Sequence, residues 1–134
     1  MTPRPISITE QTTMQDAIAL LQRHHIRHLP VTDGSTLVGM VTDRDLRKAT
    51  PSLLSGIAME DYQQVLIATH VARIMTREPE TVDRETELSD AVQLMVEKKF
   101  GSLPVVEGDE LVGILTEIDA LKVLHAQLIG DPPE

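Results

Sequence analysis

His28-Leu29-Pro30-Val31-Thr32-Asp33-Gly34-Ser35-Thr36-Leu37-Val38-Gly39-Met40-Val41-Thr42-Asp43-Arg44-Asp45 opens a pattern that the chain uses twice. It returns 74 residues later as Leu103-Pro104-Val105, then Gly108, then Leu111-Val112-Gly113-Ile114-Leu115-Thr116 and Asp119. Residues 1–48 lie on residues 75–122 without a gap. Met1, Thr2, Pro5, Thr12, Asp16, Ala17, Leu20, Leu29, Pro30, Gly34, Leu37, Val38, Gly39, Thr42, Asp45 and Lys48 each meet their own kind. The chain is a duplicated unit, and a repeat constrains the architecture before any local pattern does.

Working outward, Leu29–Val31 reads as a strand, Asp33-Gly34 as a hairpin turn and Leu37–Val41 as the returning strand. Val105-Val106, Gly108 and Leu111–Leu115 repeat this. A helix follows each hairpin, opening near Thr42 or Thr116; the second runs to about Leu128, where Gly130 and Asp131-Pro132-Pro133 stop it. Ahead of the first hairpin, Ile6, Ser7 and Ile8 form a short extended piece. Thr12, with Gln15 three residues on, has the spacing of a capping box. Met14, Ala17, Ile18 and Leu21 then fall on one helical face, as do Leu88, Ala91, Val92 and Met95, in helices reaching about His24 and Lys98.

Each unit is therefore β-α-β-β-α in about 48 residues, too few to bury a core alone. The expected fold class is α+β (α/β mixed), with two pseudo-twofold-related repeats packed through their sheets. Repeat 1 spans 1–48 and repeat 2 spans 75–130, with an insert at 49–74 and a tail at 131–134. In the insert, Pro51 and Ser52 open a helix that Gly56 weakens, and Leu53, Leu54, Ile57, Val65, Leu66 and Ile67 supply apolar contacts. One or two helices are expected there, packed on the module or on a second chain.

Composition narrows the function. Tyr62 and Phe100 are the only aromatic residues, so the core is aliphatic and no base-stacking surface exists for single-stranded nucleic acid. The absence of cysteine removes disulfides, thiolate metal sites and cysteine nucleophiles. No apolar run follows the N-terminus, so neither a signal peptide nor a membrane span is read, and the cytoplasm is the expected location. The net charge of −9 is uneven. Residues 1–48 hold six Lys/Arg against five Asp/Glu, and residues 75–134 hold five against fourteen. An acidic protein gains nothing from counterion release on nucleic acid, while a small anion finds repeat 1 the more welcoming half.

The repeated L-P-V … L-V-G-x-x-T-x-x-D pattern resembles the cystathionine β-synthase (CBS) domain family, and two copies resemble a CBS pair, or Bateman module. The insert is similar to the link in bacterial pairs of the acetoin-utilisation type, through Ala49-Thr50-Pro51-Ser52, a helix with Tyr62, and Val71-Ala72-Arg73-Ile74-Met75-Thr76. Two departures stand out. Those relatives carry a further C-terminal regulatory domain, which is not read before Glu134, and repeat 1 lacks a Val-x-x-Ile lead-in ahead of Met1.

The chemistry concentrates where the second hairpin strand meets its helix. Backbone N–H groups and the positive helix end attract phosphate. The Thr hydroxyl adds a hydrogen bond, and the carboxylate one turn in can accept from both hydroxyls of a ribose. The resemblance implies this adenosyl-binding role for Thr42 and Asp45 and for Thr116 and Asp119. Helix capping alone also explains these residues. The resemblance extends to the nucleotide-sensing subunit of AMP-activated kinase, where basic residues in these places face phosphates. Arg27, His28 and Arg44 match them in kind, with the order Arg-His where the family has His-Arg. A solvated surface role is the other reading of both arginines. Repeat 2 has Gly101-Ser102 and Glu117-Ile118 instead, which fits a neutral-tailed adenosyl ligand or none. Ser7, Ile8, Leu29 and Pro30 are the expected walls of an adenine slot, matched by Thr81, Val82, Leu103 and Pro104.

His24, His25 and His28 do not read as a metal site, because only His24 and His28 share a helical spacing and the chain leaves the helix before His28. No nucleophile-base-orienter set with a local signature, no G-x-x-x-x-G-K loop and no H-E-x-x-H occurs, so no enzyme and no required cofactor are read. The expectation is a regulatory module binding AMP, ADP, ATP or S-adenosylmethionine in the cleft between the repeats, mainly at repeat 1. The alternative is a constitutive dimeric interaction platform with empty sites. A homodimer is expected either way, because Leu121, Val123, Leu124, Leu128 and Ile129 spread over more than one helix side. The effector protein is not legible.

Overall fold

The computed structural model describes residues 1–130; the tail at 131–134, with its Asp131-Pro132-Pro133 stop, lies outside the described residues. In chain order the elements are β1 (Thr2–Pro3), α1 (Met14–His24), β2 (His28–Asp33), β3 (Thr36–Thr42) and α2 (Asp43–Ala49). The insert adds a 3-10 turn (Leu53–Ser55), α3 (Met59–Ala68) and a second 3-10 turn (Val71–Arg73). Then come β4 (Thr76–Arg77), α4 (Leu88–Lys98), β5 (Ser102–Glu107), β6 (Glu110–Thr116) and α5 (Glu117–Leu128). The architecture is mixed α+β, and each repeat keeps the β-α-β-β-α order.

The hairpins follow from their side chains. In β2 the run Leu29-Pro30-Val31 is buried throughout, and β2 pairs antiparallel with β3 from His28↔Thr42 to Asp33↔Thr36. Gly34 turns the chain at φ +62°, a left-handed conformation that glycine adopts without penalty. β5 and β6 repeat the ladder from Ser102↔Thr116 to Glu107↔Glu110.

The compact units do not follow the repeat boundaries. One is Ile6–Pro79; the other joins Met1–Pro5 to the chain from Glu80 onward. In the first, β4 pairs with β3 through Gly39↔Arg77 and Met40↔Thr76. In the second, β1 pairs with β6 through Thr2↔Ile114 and Pro3↔Gly113. The leading strand of each repeat thus completes the hairpin of the other. The strand expected at Ile6–Ile8 is corrected accordingly: the regular strand is Thr2–Pro3, and Ile8 makes a single parallel bridge to Val31. Its N–H donates to the Pro30 carbonyl at 3.0 Å, and its carbonyl accepts from Thr32 N–H at 2.8 Å.

Helix α1 is capped by Thr13, whose hydroxyl accepts from Asp16 N–H, and not by Thr12. Thr12 is already used, because its hydroxyl accepts from Thr9 N–H and its own N–H donates to the Thr9 carbonyl. Helices α1 and α4 each end on a left-handed residue that is not glycine, His25 at φ +53° and Lys99 at φ +58°. His25 is exposed, and a side chain pays about 1–2 kcal/mol to sit in this region. His25→Gly is therefore expected to raise stability by about 0.5–1 kcal/mol, net of the extra freedom glycine gives the unfolded chain. Urea unfolding checks it; a loss of stability would mean that the His25 ring makes a stabilising contact.

The two cores differ in completeness. In the Ile6–Pro79 unit, Ile8, Met14, Ala17, Leu21, Leu29, Val31, Val41, Leu46, Val71 and Met75 form one buried cluster. In the other unit the cluster is smaller: Ala91, Met95, Leu103, Val105 and Leu115. Leu88, expected on the buried face of α4, is 39% exposed, whereas Met14 at the matching place on α1 is 0% exposed.

The insert holds one α-helix. Ser52 caps only a 3-10 turn, which Gly56 ends at φ +86°, and no residue of α3 is fully buried. Its anchor is Val71, completely buried. Among the described residues no helix is long and apolar enough to cross a membrane.

Candidate functional site

Thr42 and Asp45 sit where β3 passes into α2, and a reciprocal capping box locks them together. Thr42 N–H donates to Asp45 Oδ2 at 2.9 Å, and Asp45 N–H donates to the Thr42 hydroxyl at 3.1 Å. Both side chains are half-buried. Repeat 2 reproduces the box, with Thr116 N–H to Asp119 Oδ2 at 2.9 Å and Asp119 N–H to the Thr116 hydroxyl at 3.2 Å. In each box one carboxylate oxygen is committed. Oδ1 of Asp45 and of Asp119 takes no hydrogen bond among the described residues.

The segment before L-P-V is stitched to the same place. Asp43 N–H donates to the Arg27 carbonyl at 2.9 Å, and Glu117 N–H to the Gly101 carbonyl at 3.0 Å. His28 stands opposite Thr42 across the ladder, and Ser102 opposite Thr116. Arg27, His28, Thr42 and Asp45, far apart in sequence, are thereby brought to one end of one hairpin. The same bonds revise the expected phosphate chemistry. Three N–H donors of this helix end, those of Thr42, Asp43 and Asp45, already have protein acceptors. The positive charge at this end is carried by side chains. Arg27 and Arg44 are exposed, and neither has an ion-pair partner among the described residues, whereas Arg47 on the same helix is paired with Asp43 at 3.4 Å. Ile118 and Gly101 stand at their counterparts in repeat 2.

Of the apolar residues expected beside a base, Leu29, Leu103, Pro30 and Pro104 are completely buried, Leu29 and Leu103 within the two core clusters. Ile8 bridges Val31 and Val82 bridges Val105, both in parallel sense. Ile8 is itself buried and Val82 half-buried, while Ser7 and Thr81 are exposed beside them. The bridge from Ile8 to Val31 puts Ser7 and Ile8 along the strand that begins at His28, on the same hairpin as the capping box.

His24 and His25 are exposed at the end of α1, and no group of three His, Asp or Glu side chains among the described residues could hold a metal. Sequence reasoning did not find an apolar pocket in the unit that contains repeat 2, lined by Leu88 and Ala91.

The CBS domain family model matches residues 1–52 and 71–126. The chain is similar in structure to a putative acetoin utilization protein, AcuB, of Vibrio cholerae, with a TM-score of 0.77 and 31% identity over 98% of this chain and 94% of that one. It is also similar to CBSX2 of Arabidopsis thaliana, solved in complex with AMP, with a TM-score of 0.76 and 34% identity over 97% and 94% of the two chains. A third likeness is to the CBS domain pair of protein MJ0100, solved with 5′-methylthioadenosine and S-adenosylmethionine. There the TM-score is 0.75, with 26% identity over 92% and 93%.

Proposed function

The chain belongs to the CBS domain family, and we propose from this that it is a regulatory module sensing an adenosine-containing ligand, mainly at the Thr42–Asp45 end of repeat 1. The observation that carries the reading is the half-buried capping box, built twice at the same register, which leaves one carboxylate oxygen of Asp45 free to accept from a ribose. A ligand-bound CBSX2 and MJ0100 support the ligand class, AMP on one side and sulfonium or thioether nucleosides on the other.

In this reading Asp45 Oδ1 takes the ribose hydroxyls, and the Thr42 hydroxyl lies beside them. Arg44 and Arg27 meet the phosphates, since a guanidinium gives two parallel hydrogen bonds to such a group. His28 borders the same end of the hairpin, and Ser7 with Ile8 the side toward the base. Thr116 and Asp119, with Thr81 and Val82, offer the second site. Without an arginine at 118 or 101, it suits a ligand that carries no phosphate. No catalytic step or required cofactor belongs to this reading, and its setting is the cytoplasm.

A thermal melt of the chain with AMP, ADP, ATP and S-adenosylmethionine tests it. At about 100 times the dissociation constant a bound ligand adds about 2.7 kcal/mol, enough to raise Tm by several degrees. The nucleotides are expected to shift Tm, and Arg44→Ala to reduce the shift for the nucleotides more than for S-adenosylmethionine. No shift at millimolar ligand overturns the proposal.

The second reading, a homodimeric interaction platform for an effector protein, is favoured by the exposure of Leu121, Leu124, Leu128 and Ile129 on and after α5. Buried face to face, such residues would contribute to a stable pair of modules.

A further inference from the structure

In the Ile6–Pro79 unit, the end of α1 and the whole of α2 carry an excess of positive charge. Segments 22–28 and 43–49 hold Arg23, Arg27, Arg44, Arg47 and Lys48 against Asp43 and Asp45, and all five cations are exposed. The fold draws them together. Helix α1 packs on α2, with Ala17, Leu21 and Leu46 in one buried cluster, and the Asp43 N–H donates to the Arg27 carbonyl at 2.9 Å. Arg44 and Lys48 then lie about one turn apart, on the side of α2 away from Leu46.

The other copy shows that the fold does not need this charge. Its segments 96–102 and 117–123 hold Lys98, Lys99 and Lys122 against Glu97, Glu117 and Asp119, with Gly101 and Ile118 where Arg27 and Arg44 stand. Within α2 the charge is also locally unfavourable. Arg44 lies in the first turn, where a cation is disfavoured, and it repels Lys48 at the i, i+4 spacing. Arg47 is compensated by Asp43 at 3.4 Å, whereas Arg23, Arg27, Arg44 and Lys48 have no ion-pair partner among the described residues. A local cost without an internal return points to an anionic partner outside the unit. A phosphate held beside the capping box would engage Arg27 and Arg44, but it leaves Arg23 on α1 and Lys48 in the last turn of α2 unaccounted for.

The surroundings select the class of anion. The chain carries −9 overall, so a long polyanion would meet repulsion beyond this face, whereas a short acidic segment fits within it. Tyr62 and Phe100, the only aromatic residues, lie outside both segments, so no aromatic side chain is there for a base to stack on. Carboxylates suit the three uncompensated arginines, because each guanidinium can give a carboxylate two parallel hydrogen bonds.

We propose that this face docks a short acidic segment of a partner protein, and that a nucleotide bound at the capping box weakens the docking by engaging Arg27 and Arg44. The docking stands by itself, while the coupling rests on the nucleotide-sensing reading. The test uses the full chain, isotope-labelled, and the peptide Glu-Asp-Glu-Glu-Asp-Glu with blocked ends. Saturable amide shifts are expected in segments 22–28 and 43–49, and added salt is expected to weaken binding. The uncharged peptide Gln-Asn-Gln-Gln-Asn-Gln is expected to give none. Arg23→Gln combined with Lys48→Gln, shown by its melt to remain folded, is expected to bind AMP as the parent does and to lose about tenfold in peptide affinity. Saturating AMP is expected to weaken peptide binding by about fivefold or more. No shift at millimolar peptide, equal shifts from the uncharged peptide, or parent-like peptide binding in the folded double variant would each overturn the docking. So would tighter binding of a short oligothymidylate, since the face would then be a nucleic-acid surface. AMP that binds without weakening the peptide would overturn the coupling. AMP that fails to bind where the peptide binds would overturn the nucleotide reading and the coupling together, and leave the docking standing.

Discussion

Asp45→Ala is expected to weaken AMP binding by about 10–100-fold, the equivalent of about 1.5–3 kcal/mol for hydrogen bonds to a charged group. The same substitution removes the acceptor for Thr42 N–H, so a stability loss of about 1 kcal/mol is expected alongside it. The two effects can be separated. Asn in place of Asp45 keeps an amide oxygen for Thr42 N–H and so preserves the box, while the group facing the ribose becomes a neutral donor. Asp45→Asn is expected to melt like the parent and to bind AMP about fivefold less tightly, because neutral hydrogen bonds contribute about 1 kcal/mol less than charged ones. Titration calorimetry on the three proteins decides the matter. If both variants bind as tightly as the parent, Asp45 only caps a helix.

Gly39→Val is expected to destabilise the chain by about 2–3 kcal/mol, the upper part of the range for overpacking a core. Gly39 is buried in β3, between Val31 of β2 and Arg77 of β4 in the ladder. A Cβ built there would lie 2.6 Å from the Met75 sulfur and 3.0 Å from the Thr76 carbonyl oxygen. The thioether can swing aside, but the carbonyl is main chain of the paired strand and cannot. Valine adds two further carbons to that conflict. The pseudo-equivalent Gly113→Val meets the Met1 sulfur at 2.6 Å and the Thr2 carbonyl at 3.1 Å, so a loss of similar size is expected. Urea unfolding with an unchanged m value would assign the loss to the folded state. Parent-like stability in Gly39→Val would mean that β4 is not seated on β3.

Much of this was legible in the residues. The hairpins, the helices after them and the Thr-x-x-Asp junctions could be read because strand alternation, helical spacing and the turn at Gly34 agree with one another in both copies. What escaped was non-local or degenerate. A two-residue strand such as Thr2–Pro3 contains nothing that names its partner, so the exchange of leading strands was invisible. Thr12 and Thr13 can each cap α1, and only the turn that consumes the Thr12 hydroxyl separates them. His25 and Lys99 end helices in a left-handed conformation without the glycine that usually announces it. The site residues could be named but not oriented. Leu29 and Pro30 were visible as apolar neighbours of the motif, but their complete burial was not.

The interlaced leading strands bear on how such a gene can be divided. A cut at the junction of the copies leaves the upstream fragment carrying β1 without the hairpin it completes, and the downstream fragment carrying β4 without β3. Each half would be born missing one ladder and holding a spare. Separating the two copies is therefore expected to cost each half one ladder, so the pair behaves as a single folding cassette.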